Sequence, residues 1–316
     1  PMSNRSISAA YPPGSTFKLY MSVGGMARGL INSTSTMPCP GYFYFAGRQY
    51  HCHKKGGHGT ISLQDALTLS CNAYFFRLGN LMEIDEISTV GSEFGFGQTT
   101  GINLPGERAG VMPSREWKRR TVGERWYPGD TLPVSVGQGY LIVTPLQQAV
   151  ALSALVNGGR LLVPRLVSGS VDQLTGEVTS YPAELKRTVT IDPVYLDAVR
   201  ELAASIVGHP RGTGKRAKIE GINIGGKTGT AQVSSLETGN TTHALRDHAW
   251  FVSYAPVEAP EIVVVAFVEN AGVGGGVAAA PRARAVLEEY FIKTGRLPAD
   301  YQRIVLEPID PTTAQH

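Results

Sequence analysis

Pro12, Pro13 and Gly14 stop any helix from running inward, and the stretch behind them, Ser15 to Leu30, carries apolar residues at near-helical spacing up to Gly24-Gly25. A rigid turn feeding a helix puts Ser15 in the first turn, with its side chain at the helix mouth. Lys18, three residues on, returns to the same face one turn later. A serine hydroxyl is a weak nucleophile near neutral pH and needs a base beside it. A lysine is that base only where burial or positive potential lowers its proton affinity, and a helix N-terminus adds such potential. Ser-x-x-Lys occurs by chance in many chains, so its weight depends on whether the rest of an acyl-transfer site lies downstream.

Ser70-Cys71-Asn72 and Lys227-Thr228-Gly229-Thr230 lie downstream. In that order the three motifs resemble the signature set of penicillin-binding proteins and serine β-lactamases. Gly101 to Glu107, Ser135 to Tyr140 and Thr144 to Ala149 also resemble transpeptidase segments, and Leu245 to Ala249 points to one branch. The likeness runs from Asn4-Arg5 to the last helix and is closest to the class B penicillin-binding protein 2 group, the peptidoglycan D,D-transpeptidases of rod elongation. It implies an α/β chain with the serine β-lactamase/penicillin-binding transpeptidase fold: an antiparallel sheet flanked by helices, with an all-helical subregion carrying Ser70 to Asn72. Residues 1–316 are expected to be one transpeptidase domain whose N-terminal anchor, pedestal and first strands are absent.

The resemblance also implies roles. Ser15 attacks the penultimate D-Ala carbonyl of a peptidoglycan stem peptide, Lys18 is the base, Ser70 passes a proton to the leaving amine and Asn72 holds the donor peptide. Lys227 supplies positive potential, and Thr228 and Thr230 hold the substrate carboxylate. Gly229 leaves the strand edge open for the substrate to lie alongside. The backbone N–H groups of Ser15 and Thr230 form the oxyanion hole. No cofactor is expected for catalysis. Implied partners are stem peptides, β-lactam antibiotics and, through the absent regions, an elongation-complex glycosyltransferase and scaffold proteins. The implied location is the periplasmic face of the bacterial inner membrane.

Other readings compete. A D,D-carboxypeptidase, a β-lactamase or a non-catalytic drug sensor shares the fold. Gly221 to Thr228 also matches the phosphate-loop pattern G-x-x-x-x-G-K-[ST], which demands a helix starting at the lysine. The residues after Lys227 read as β instead. Gly272 to Gly276 reads as a tight connection. A net charge of +3 is too small to argue for nucleic acid, and the longest apolar run, Ile262 to Val268, is of strand length.

Three cysteines cannot all pair within one chain. With one histidine they read C-x12-C-x5-H-x12-C, namely Cys39, Cys52, His58 and Cys71. Three thiolates and an imidazole suit a closed, structural zinc site. If the segment is helical, Cys71 is turned about 100° from Ser70 and Asn72 and faces away from the cleft. A Cys39–Cys52 disulfide with Cys71 as a buried thiol, or three unrelated cysteines, are the alternatives, and His51 or His53 is an alternative fourth ligand.

Locally, Asn32 to Gly59 reads as a long structured loop. Thr60 to Glu86 reads as helix, with Ser62 and Asp65 in a capping arrangement and Ser70 at a helix end or in a break. Thr144 caps a helix that has Pro145 at its first position and stops at Asn157. Leu161 to Val171 is strand-like, Pro193 to Val207 an amphipathic helix, and Ile222 to Val233 a strand. His248 to Pro256 and Glu261 to Glu269 are its expected antiparallel neighbours, and Ala280 to Thr294 closes the chain as a helix.

Overall fold

The computed structural model describes residues 3–232 and 246–309. A short helix α1 (Arg5–Ser8) and a 3-10 turn (Gly14–Phe17) lead into α2 (Lys18–Ala27). Four short strands come next: β1 (Thr36–Cys39), β2 (Tyr42–Phe45), β3 (Arg48–His51) and β4 (Gly59–Ser62). They are succeeded by α3 (Leu63–Thr68), α4 (Asn72–Glu93), α5 (Arg115–Thr121), α6 (Pro128–Ser135) and α7 (Pro145–Val156). Two small hairpin sheets use β5 (Arg160–Leu162), β6 (Gly169–Val171), β7 (Val178–Ser180) and β8 (Leu185–Thr188), and α8 (Pro193–Gly208) comes after them. The chain ends with β9 (Gly225–Ala231), β10 (His248–Ala255), β11 (Ile262–Val268), α9 (Gly275–Ala278) and α10 (Ala280–Lys293).

The central sheet has the order β11-β10-β9, antiparallel throughout. Because side chains alternate across a strand, β10 serves two cores at once. Ala249, Phe251 and Ala255 join the core under α10, while Val252 and Tyr254 join the larger core with α2, α7 and α8. Helices thus cover both faces. Among the described residues β9 pairs on one side only, so its outer edge is free.

Several helix ends form as the sequence predicts. Ser62 Oγ accepts from Asp65 N at 3.1 Å and starts α3. Thr144 and Gln147 make a reciprocal capping box with Pro145 at the first position of α7. Gly24 and Gly25, by contrast, do not break α2. They lie within it and let other elements approach: a Cβ at Gly24 would stand 2.7 Å from a Val90 methyl and 2.8 Å from the Met82 methyl, both on α4.

Four expectations need correction. Asn32 to Gly59 is not a loop but carries β1 to β3 and the first residue of β4, and β1 pairs with β4 in the register Thr36↔Ser62 to Cys39↔Gly59. Thr60 to Ser62 are therefore strand, and the helical stretch divides into α3 and α4 with a non-helical Ser70 (φ 56°) between them. Leu161 to Val171 is not one strand: β5 and β6 belong to separate hairpin sheets. The strand predicted from Ile222 begins at Gly225. Val233, its predicted end, and Leu245 lie outside the described residues. Among the described residues no helix is long and apolar enough to cross a membrane.

Candidate active site

The Pro12-Pro13-Gly14 turn is pinned from three sides. Trp250 Nε1 on β10 donates to Pro12 O (3.0 Å), Tyr11 N donates to Val143 O (2.9 Å), and Gly14 N donates to Gly137 O (2.8 Å). Gly14 has φ 57° and packs on β9, where a Cβ would stand 2.5 Å from Thr230 O. A side chain would fit neither that torsion nor that contact. Ser15 comes next in the 3-10 turn, half-buried, at the wall of a cleft of about 1440 Å³.

Ser70, Asn72, Thr228 and Thr230 line the same cleft. Lys18, on the first turn of α2, is fully buried beneath it. Its Nζ donates to Ser70 O (2.9 Å), Asn72 Oδ1 (2.7 Å) and, more weakly, Ser70 Oγ (3.4 Å). The left-handed Ser70 turns its carbonyl and hydroxyl together toward that amine, a conformation costing on the order of 1 kcal/mol in a non-glycine residue. Burial brings Lys18 down to about 8, against an opposing pull from the charges of Cys71 and Cys52. The amine is thus an accessible base near neutral pH. Any reaction that uses it should quicken about tenfold per pH unit below 8 and level off above, since the neutral fraction rises that way. Acylation rates measured from pH 6 to 9 check this.

The structure brings Thr228, Gly229 and Thr230 to the free edge of β9. Gln138 Nε2 donates to Thr230 O (2.9 Å), so that carbonyl points away from β10. In an antiparallel pair the N–H of the same residue points the same way, toward the turn that carries Ser15. Gly229 faces Pro13 and Thr16, where a Cβ would stand 2.7 Å from Pro13 O. Lys227 lies beneath the cleft and not in its wall. It is wholly buried, and among the described residues its Nζ donates to Thr228 O alone (3.2 Å). Burial, then the charge of Lys18, holds it well below the usual lysine range. Lys227 sits in mid-strand with no helix starting at it, so the phosphate-loop reading falls.

Gln138 and Gly274 to Gly276 also line the cleft, and sequence reasoning assigned them no role there. A Cβ at Gly275 would overlap Trp250 O and stand 2.7 Å from Gly229 O. Only glycine lets α9 cross so close over β9 and β10. The glycine run was visible in the sequence; what it approaches was not.

Behind Ser70 and Asn72 lies a second cluster. Ligand atoms of Cys39, Cys52, His58 and Cys71 all fall within 4.8 Å of one another, and the three cysteines are free thiols. Cys52 Sγ is 4.0 Å from Cys71 Sγ, and His58 Nδ1 is 3.4 Å from Cys39 Sγ and 3.6 Å from Cys52 Sγ. A tetrahedral zinc with bonds of about 2.3 Å to sulfur and 2.0 Å to nitrogen needs edges of about 3.8 and 3.6 Å, and the three distances above lie within about 0.2 Å of those, every other donor pair being within 4.8 Å. His58, not His51 or His53, completes the set. The contact with Cys71 holds the Cys52 thiol well below its ordinary range, and that contact and burial push Cys71 up. Cys71 is the N-cap of α4 and not part of a helix with Ser70. It still turns inward while its two neighbours face the cleft.

The family model "Penicillin binding protein transpeptidase domain" matches residues 1–288. Among curated proteins, the peptidoglycan D,D-transpeptidase MrdA of Haemophilus influenzae is 37% identical over 303 residues, covering 92% of this chain and 46% of that protein. Among solved structures, Pseudomonas aeruginosa PBP2 in complex with WCK 5153 aligns with a TM-score of 0.82 at 34% identity, covering 96% of this chain and 64% of that one. The Helicobacter pylori PBP2 in its complex with MreC aligns with a TM-score of 0.79 at 28% identity, covering 94% and 52%. The chain spans about half the length of the curated relatives it matches.

Proposed function

Because the chain belongs to the penicillin-binding protein transpeptidase family, we propose that it is the catalytic part of a peptidoglycan D,D-transpeptidase that works through a serine acyl-enzyme. The observation that carries this is the buried Lys18 amine bonded to Ser70 and Asn72 at the base of a cleft that holds Ser15 and the free edge of β9. Ser15 Oγ attacks the penultimate D-Ala carbonyl of a stem peptide, and neutral Lys18 takes the hydroxyl proton. The N–H groups of Ser15 and Thr230 hold the oxyanion, each donor worth roughly 3 kcal/mol in comparable sites. The proton passes through Ser70 to the nitrogen of the terminal D-Ala as that C–N bond breaks. The amine of a second stem then attacks the ester, gives a proton back toward Lys18, and leaves as a new amide with Ser15 restored. A β-lactam acylates Ser15 by the same first step.

A carboxypeptidase or β-lactamase must activate water at the acyl-enzyme. Among the described cleft-lining residues the one carboxylate is Glu307, on the tail beyond α10, so no acidic side chain of the motif elements is available for that task. Incubation with a fluorescent penicillin is expected to leave one long-lived adduct, mapped by mass spectrometry to the peptide carrying Ser15. Rapid loss of the label points to a lactamase, and an adduct on another serine overturns the assignment.

We place the enzyme outside the cytoplasm, at the periplasmic face of the inner membrane, held by segments beyond this chain. A scaffold protein, as in the Helicobacter pylori PBP2–MreC complex, and a glycosyltransferase would act with it through those segments. A second reading rests on the four clustered donors. Cys39, Cys52, His58 and Cys71 would hold a structural zinc that takes no part in acyl transfer and ties β1 and the β3–β4 segment to the start of α4.

A further inference from the structure

We propose that Arg216 is the cation that recognises the substrate's terminal carboxylate, and that Thr213 holds the Thr228 hydroxyl in place for it. This deepens the acyl-transfer reading and rests on it. A donor stem peptide ends in a carboxylate, and so does the β-lactam that mimics it. Lys227, expected to supply the charge, is buried under the cleft with its amine committed to Thr228 O. The charge at the cleft surface must come from elsewhere.

Four arginines line the cleft. Arg48 stacks over Tyr50, Arg282 donates to Ala278 O, and Arg284 is paired with the buried Glu288. Arg216 alone has no partner for its guanidinium among the described residues. Its planar fork matches a carboxylate in two parallel hydrogen bonds.

The segment that carries Arg216 is anchored to both other motif regions. Thr213 N donates to Thr68 O (3.2 Å), two residues before Ser70, and the hydroxyls of Thr213 and Thr228 are 2.8 Å apart. Gly212 N and Gly214 N are bonded to His209 O and Ile206 O, and a Cβ at Gly214 would stand 2.9 Å from the Phe251 ring. The glycines let this turn press against the sheet and fix Thr213. Here the Thr228 O–H donates to the Thr213 oxygen; a carboxylate only accepts, so when substrate binds the Thr228 O–H turns to it and the Thr213 O–H takes over as donor to the Thr228 oxygen. Arg216 lies three residues after Thr213, in the 3-10 turn Lys215–Ala217, and lines the same cleft.

The test compares a penicillin with its methyl ester, which lacks the charge, by their rates of acylating Ser15. Arg216→Ala is expected to slow the free acid roughly ten- to a hundredfold, the range of a lost charge-assisted contact, and the ester less than about threefold. Arg216→Lys, which keeps the charge but not the fork, recovers part of the loss. Thr213→Val slows the free acid about tenfold through weaker binding and not slower chemistry at saturation, and Thr213→Ser restores it. Equal loss for both compounds, or no loss for the free acid, overturns the proposal. A wild-type protein labelled by neither compound removes the acyl-transfer reading and this one with it.

Discussion

Lys18→Arg is expected to slow β-lactam acylation of Ser15 by about a thousandfold or more. A guanidinium keeps its charge but does not deprotonate in a protein, so the variant has no neutral nitrogen to accept the serine proton. General-base catalysis is worth about 10²–10⁴ in rate, and here the base also activates the nucleophile. The site is fully buried and holds its amine against Asn72 Oδ1 at 2.7 Å, so the bulkier guanidinium also crowds the floor of the cleft. Overpacking of that kind costs about 1–3 kcal/mol. Lys18→Met, closer in volume and without any amine, therefore serves as the companion variant. Both should fold, as judged by circular dichroism and melting temperature, and both should acylate slowly in stopped-flow measurements. Near-normal acylation in either would mean that the base lies elsewhere.

The sequence made this part of the site legible because its logic is local. A turn that cannot be helical, a serine and a lysine one turn later specify their own geometry. Ser70 was harder. Its left-handed backbone between α3 and α4 arises from the tertiary demand that one residue offer both carbonyl and hydroxyl to Lys18. Nothing in Leu-Ser-Cys-Asn announces that.

The strands between Asn32 and Gly59 are hidden in the sequence for a similar reason. Strands of four residues have little periodicity to detect, and β1 finds its partner β4 some twenty residues on, across the β2–β3 hairpin. Pro38, Gly41 and Gly47 look like loop residues. They sit instead in a strand and its turns, and Gly41 and Gly57 take φ of 102° and 73° where the chain folds back on itself. The role of Arg216 was not legible at all, because a cation's availability depends on which acids the fold brings near it. Lys227 shows the converse: the motif identified it, but its burial comes from the sheet and helices packed around it.

Cys71→Ser is expected to lose both the bound metal and much of the stability of the helical region. Protein purified without added metal should contain about one zinc per chain by elemental analysis, and the variant close to none. A preformed set of three thiols and an imidazole contributes to folding when the ion binds, because the unfolded chain has no such site. Removing one ligand leaves two buried thiols and a histidine around a position that has lost a quarter of its coordination. A loss of a few kcal/mol in a chain of this size lowers the melting temperature by roughly 5–10 °C. The effect should reach the cleft, since Cys71 stands between Ser70 and Asn72 and caps α4, and acylation of Ser15 should slow several-fold. Chelation of the wild-type protein with EDTA provides the control that alters no side chain, and it should reproduce the stability loss and reverse when zinc is restored. Cys39→Ser, remote from the catalytic segment, separates loss of metal from damage to Ser70 and Asn72. Metal-free wild-type protein with Cys39 and Cys52 joined as a disulfide would overturn the assignment, because two of the four donors would then be spent on each other.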